Sequence, residues 1–144
     1  MGYTFSIIGC EHPHIGLFIG EMLAAGHRCV GLYEPANDVL ADRIARQYGI
    51  PRVADREVLL GDEVDLVGCA AINREKIDII ELCESRGKHV MVDKPAVTNR
   101  AALERLEAVI GRGRIQVGML LTERFRGALY TLKGMIDRGE LGRI

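Results

Sequence analysis

The sequence predicts an α/β fold built on a doubly wound parallel sheet, and three observations carry that reading. Short β-branched runs alternate with longer stretches of helical periodicity along all 144 residues. Glycines close the helical stretches, at Gly26, Gly49, Gly87 and Gly139. One run, residues 64–69 (VDLVGC), is apolar apart from Asp65, as a strand covered on both faces should be.

Residues 3–9 (YTFSIIG) make the first strand. Residues 12–25 make the first helix, with Ile15, Phe18, Ile19 and Met22 at helical spacing. Pro13 falls in its first turn, where a missing N–H costs nothing. Residues 29–33 (CVGLY) form a second strand, residues 39–48 a second helix, and residues 52–54 a short third strand. After the fourth strand at 64–69 comes a helix over 74–86, with Asn73 as its cap. Residues 89–92 (HVMV) are the fifth strand. A helix over 99–110 follows with Asn99 as cap, then a sixth strand at 115–120 (IQVGML) and a last helix over 126–137. Right-handed crossovers then place ligands at the carboxyl ends of the strands. Residues 1–144 read as one domain. The final GELGRI follows a helix stop where another strand would be expected to begin, so the chain reads as unfinished.

The charge excludes some classes of partner. Nineteen basic and 20 acidic residues leave a net charge of -1, which is no footprint for nucleic acid or an anionic membrane. No apolar run approaches the roughly 18 residues that span a bilayer. The start, MGYTFSIIGC, has no basic leader and reads as neither a signal peptide nor a myristoylation site. Cys10, Cys29, Cys69 and Cys83 show no CxxC and no metal-ligand spacing, and each borders an apolar run. They read as small hydrophobes in a reducing cytoplasm, without disulfides. Cys10 and Cys69 end neighbouring strands, so they are expected close together, as small residues that let a ligand approach. The last helix offers a surface for homo-oligomer formation.

A dinucleotide site needs a tight turn after the first strand, with a pyrophosphate on the helix N-terminus. The turn here is Gly9-Cys10-Glu11-His12-Pro13-His14, and only Gly9 matches G-x-G-x-x-G. Glu11 takes the close-approach position and would repel phosphate unless it turns away or caps the helix. His12 and His14 have three readings: they flank a loop, they donate to phosphate oxygens, or they begin an H-x-H metal site. The third has no further ligand type nearby except Glu11, and no metal site is assigned. Glu34 ends the second strand about twenty residues on, where a carboxylate accepts from ribose hydroxyls. It is equally the kind of residue found solvated in a turn. The same carboxylate repels a 2′-phosphate, and no Arg stands at 35–37, which favours NAD over NADP.

The fifth strand ends in Asp93-Lys94-Pro95. A lysine there faces the ligand crevice, where an ammonium holds or polarises an oxygen. Asp93 is expected to hold that ammonium, and Pro95 to bias Lys94 towards an extended backbone. Arg124, after the sixth strand, either meets an anionic or hydroxylated substrate or pairs with Glu123 or Asp93.

Three segments together resemble the Gfo/Idh/MocA family of oxidoreductases in its N-terminal domain. They are Gly-Lys-His-Val at 87–90, running into Asp93-Lys94-Pro95 for the family's E-K-P; Ile72-Asn73 for its P-N-x-x-H segment; and GELGRI at the end. The resemblance covers essentially the whole chain. It implies a Rossmann domain that binds NAD(P), followed by a second α/β domain, in enzymes acting on sugars, polyols and related carbinols. It makes Lys94 the catalytic lysine that contacts both substrate and the nicotinamide end of the cofactor. The implied cofactor contacts are Gly9, Cys10, Glu11, His12, His14, Glu34, Ala71, Asn73, Asp93, Lys94 and Pro95. The departures are the altered glycine turn, aspartate for glutamate at Asp93, and a proton acceptor that has no counterpart within residues 1–144. Two other classes stay open: a nucleotide-sensing module without turnover, and a protein-interaction domain without ligand.

Overall fold

Strand β1 (Thr4–Cys10) is buried from Phe5 onward, because its neighbours in the sheet and both helical layers cover it. Its polar member, Ser6, stays inside by donating its hydroxyl to the Leu59 carbonyl at 2.7 Å. Around it the chain forms a five-stranded, all-parallel sheet in the order β2-β1-β3-β4-β5, with β2 at Arg28–Tyr33, β3 at Leu66–Ala70, β4 at His89–Asp93 and β5 at Val117–Leu120. The structure, a computed structural model, describes residues 2–143 without the side chain of Phe125. Met1, and Ile144 at the end of GELGRI, lie outside the described residues.

The helices of the described residues are α1 (His14–Ala24), α2 (Asp38–Tyr48), α3 (Lys76–Ser85), α4 (Arg100–Arg112) and α5 (Gly127–Asp137), and the first four make the two layers. Helices α1 and α2 seal one sheet face through Phe5, Ile7, Ile15, Phe18, Ile19, Leu32 and Ile44. The rings of Phe5 and Phe18 meet edge to face at 5.7 Å. Helices α3 and α4 seal the other through Val67, Ile77, Ile80, Val90, Val92 and Val109. Each large apolar side chain so buried contributes about 1.5–3 kcal/mol. Because β2 lies on one side of β1 and β3 on the other, the winding direction reverses at β1/β3. That reversal opens a crevice at the strands' carboxyl ends.

Three expectations need correction. Residues 52–54 form no strand: Arg52 makes one isolated bridge to Leu32, with hydrogen bonds from Leu32 N–H to Pro51 O and from Val53 N–H to Leu32 O. Two residues later Asp55 accepts the Glu57 N–H at 2.9 Å and turns the chain into a short 3-10 helix, so pairing stops. Helix α3 starts at Lys76 and not at 74, because Asn73 does not cap it. The Asn73 side chain instead accepts from the Lys76 ammonium at 2.9 Å. Cys10 and Cys69 do end paired strands, but their thiols belong to opposite layers, Cys10 with α1 and α2 and Cys69 with α3 and α4. Helix α5, over the segment expected to be the last helix, has no buried residue, and Leu129, Leu132 and Ile136 are each more than two-fifths exposed. The cap by Asn99 is observed, its side chain accepting from Ala102 N–H at 2.9 Å. No helix among the described residues is long and apolar enough to cross a membrane.

Candidate functional site

Gly9 shapes the floor of the crevice. Its φ is +83°, and a Cβ there would stand 2.5 Å from the Ala71 Cβ and 2.6 Å from the Ala71 Cα. Only glycine lets the turn after β1 press against the turn after β3. Along this floor runs a cavity of about 170 Å³ lined by Gly9, Glu11, Glu34, Arg56 and Ala71 among others. It shares Glu11, Ala71 and Ile72 with a second cavity of about 280 Å³, which His12, Asn73, Lys76, Asp93, Lys94 and Pro95 complete. A third, of about 350 Å³, joins at Lys94 and brings in His14, Thr122 and Arg124.

Glu34, the residue after β2, is buried, and both its oxygens are used. Oε2 accepts the Cys10 N–H at 2.8 Å, and Oε1 accepts the Ala36 N–H at 2.9 Å. The carboxylate therefore ties the turn after β2 to the turn after β1. Each oxygen retains acceptor capacity for a further donor. The Glu11 N–H is likewise committed, to Ala70 O at 2.8 Å. Of the turn's amides, the His12 N–H remains for an anion, together with the positive end of α1. Cys10 does not reach the crevice through its side chain. The thiol is fully buried, and burial followed by the charge of Glu34 pushes it up to about 12. The first cavity's lining carries Glu11, Glu34, Glu75 and Asp78 against a single cation, Arg56. Arg56 was not singled out from the sequence, because it sits twenty-two residues past Glu34 in a short 3-10 helix.

At the end of β4 the arrangement differs from the expectation. Asp93 does not hold Lys94. Its side chain, 1% exposed, faces His12 and His14. The His14 Nδ1–H donates to Asp93 Oδ1 at 2.9 Å, and His14 Nε2 lies 3.5 Å from the Thr122 hydroxyl. His12 Nδ1 lies 3.2 Å from Asp93 Oδ2, but its lone pair accepts the His14 N–H at 3.3 Å. The contact lacks hydrogen-bond alignment, and Oδ2 is left buried without a partner. Burial holds His12 below the usual imidazole range, against the opposing pull of Asp93.

The buried lysine of the site is Lys76, not Lys94. Its ammonium donates to Asp93 O at 2.9 Å, Pro95 O at 3.2 Å and Asn73 Oδ1 at 2.9 Å, and lies 3.4 Å from Lys94 O. One side chain thus fastens the whole Asp93–Pro95 turn, whose Lys94–Pro95 peptide is cis. Burial lowers the Lys76 pKa, opposed by Asp93. The signal available in the sequence was a lysine three positions after Asn73, just ahead of the isoleucines at 77, 79 and 80. Lys94 itself is exposed and lines two of the three cavities. Arg124 lines the third cavity beside it, while Glu123 pairs with Arg126 at 2.8 Å.

Comparison with known proteins agrees with this geometry. Residues 5–119 match the family model described as an oxidoreductase family with an NAD-binding Rossmann fold, GFO_IDH_MocA. Inositol 2-dehydrogenase 2 of Saccharopolyspora erythraea is 29% identical over 99% of this chain, which spans 43% of that protein's length. A crystal structure from Erwinia carotovora atroseptica superposes over 98% of this chain and 43% of its own, with a TM-score of 0.88 at 24% identity. The WlbA dehydrogenase of Bordetella pertussis, solved with NADH and UDP-GlcNAcA, does so over 100% of this chain and 44% of its own, with a TM-score of 0.82 at 18% identity. The chain belongs to the Gfo/Idh/MocA oxidoreductase family and is its NAD-binding Rossmann domain.

Proposed function

We propose that the crevice binds NAD and forms half of a site for hydride transfer between the nicotinamide and a CH–OH group of a sugar, polyol or related carbinol. The observation that carries this reading is the placement of Glu34 and Lys94 on one crevice floored by the Gly9–Ala71 contact. The residues present fit a dinucleotide. A turn without a side chain at Gly9 lets a ligand lie close to the backbone, and the remaining His12 N–H and the α1 dipole suit a pyrophosphate. Glu34 keeps acceptor sites for ribose hydroxyls. With four carboxylates against Arg56 on that cavity wall, an additional 2′-phosphate is disfavoured, which supports NAD over NADP.

The cofactor supplies the hydride acceptor. Lys94 contributes an exposed ammonium at the end of β4, positioned to steady negative charge on the carbinol oxygen as its proton leaves. Lys76 holds the turn that carries Lys94. The base that removes the proton is expected outside residues 1–144, as the 43% coverage of the dehydrogenase relative agrees with. Chain 1–144 alone is therefore expected to bind cofactor without turnover. The test is an assay of protein carrying the downstream sequence against a polyol panel, with Lys94→Met as the comparison. Turnover that survives Lys94→Met contradicts the role given to Lys94.

One observation favours a second reading, a nucleotide-sensing module. The Cys10 and Glu11 amides are spent inside the protein, and the Glu11 side chain lines the cavity a phosphate would approach. Tight cofactor binding with no turnover on any carbinol by the longer protein is the result that reading expects.

A further inference from the structure

We propose that His12, His14 and Asp93 form a site for one divalent transition-metal ion of the zinc class. The three residues come from two turns that the sequence separates by about eighty positions, and one ligand atom from each lies within 4.8 Å of the others. Two imidazoles and a carboxylate are the donor set found in open zinc and related sites. Two ligands at about 2.0 Å from a tetrahedral ion lie about 3.3 Å apart. His14 Nδ1 lies 2.9 Å from Asp93 Oδ1 and His12 Nδ1 3.2 Å from Oδ2, close to that spacing; an ion there takes over the His12 Nδ1 lone pair that now accepts the long, 3.3 Å bond from the His14 N–H.

The second observation is Asp93 Oδ2. It is a buried carboxylate oxygen with no hydrogen bond, facing His12 Nδ1 at 3.2 Å. A buried acceptor left unsatisfied costs about 1–3 kcal/mol, more when charged. A cation seated between the imidazoles and the carboxylate satisfies it at once. The surroundings suit an ion. The Thr122 hydroxyl beside His14 Nε2 is placed to orient that ring from outside, as ligating histidines require. The Lys76 ammonium fixes the Asp93 backbone carbonyl and not its carboxylate, leaving the latter free to coordinate. His12 and His14 side chains are 40% and 23% exposed, so an ion enters from solvent and keeps positions open to the crevice. Binding moves the His14 proton from Nδ1 to Nε2, beside the Thr122 hydroxyl, so that Nδ1 presents its lone pair to the ion.

The experiment titrates chelator-treated protein with Co²⁺, read by visible absorption, and then with Zn²⁺ against a chromophoric chelator. One ion per chain is expected, with Zn²⁺ displacing Co²⁺. His12→Gln and His14→Gln each should weaken binding by at least about 100-fold, more than loss of an outer partner does. His27→Gln and His89→Gln, elsewhere on the chain, should leave it unchanged. Absence of stoichiometric binding at 100-fold excess ion overturns the proposal, and so does affinity that follows His27 or His89. If either site variant loses its native circular dichroism, the wild-type thermal midpoint decides: Zn²⁺ must raise it. NADH binding, measured on the metal-free protein, stands or falls separately.

Discussion

The Glu34 carboxylate accepts the backbone N–H of Cys10 at 2.8 Å, joining the acidic end of β2 to the turn after β1. The same residue thus serves the fold and the proposed ribose contact. Glu34→Ala leaves the buried Cys10 N–H without a partner and should cost about 1–3 kcal/mol in denaturant unfolding. Glu34→Gln keeps one carbonyl acceptor and should cost less. An alanine variant as stable as the wild type would show that the bond contributes nothing.

Lys76 and Lys94 should separate stability from activity. Lys76→Met removes the donor shared by Asn73 Oδ1, Asp93 O and Pro95 O, and a loss of about 3 kcal/mol is expected. Lys94→Met changes an exposed side chain and should shift stability by less than about 0.5 kcal/mol. The reverse order in urea unfolding would mean that the turn is not held by Lys76.

The acid limb of stability should depend on the clamp between α3 and α4. Arg112 donates to both oxygens of Glu84, at 2.7 and 2.5 Å, and holds that carboxyl below its ordinary value of 4.5. A carboxyl whose folded pKa is lowered gives stability that is complete above its unfolded value and lost as pH falls through the folded one. The gap in Tm between wild type and Arg112→Met should therefore be constant from about pH 8 to 6 and close below about pH 4. A gap that persists at pH 3 would assign the effect to packing of the arginine stem.

Thiol chemistry should be silent in the native state. Burial pushes Cys10 and Cys83 up to about 12, and Cys29 and Cys69 to about 11, so thiolate is scarce at neutral pH. An aromatic disulfide reagent at pH 8 should label no thiol rapidly in folded protein and all four in denaturant. Fast labelling of a single native cysteine would contradict the burial of these positions.

The sheet, its helices and the crevice were legible in the sequence because they rest on period and on glycine stops, which are local signals. The short segment at 52–54 misled because the Asp55 turn that follows it was not weighed. Glu34 was found by its distance from the turn, but its bond to Cys10 could not be, since that depends on the close approach at Gly9 and Ala71. The partners of Asp93 were missed for the same reason. Sequence offered adjacent Lys94, whereas the fold brings His12 and His14 across from another strand end. Lys76 was passed over because a lysine in a helix ordinarily faces solvent.

Titrating NADH into the 144-residue chain, followed by nicotinamide fluorescence, tests the central claim most directly. Saturable one-to-one binding is predicted, weaker for NADPH and for Glu34→Ala. No binding at millimolar NADH, in protein that unfolds cooperatively, would contradict it.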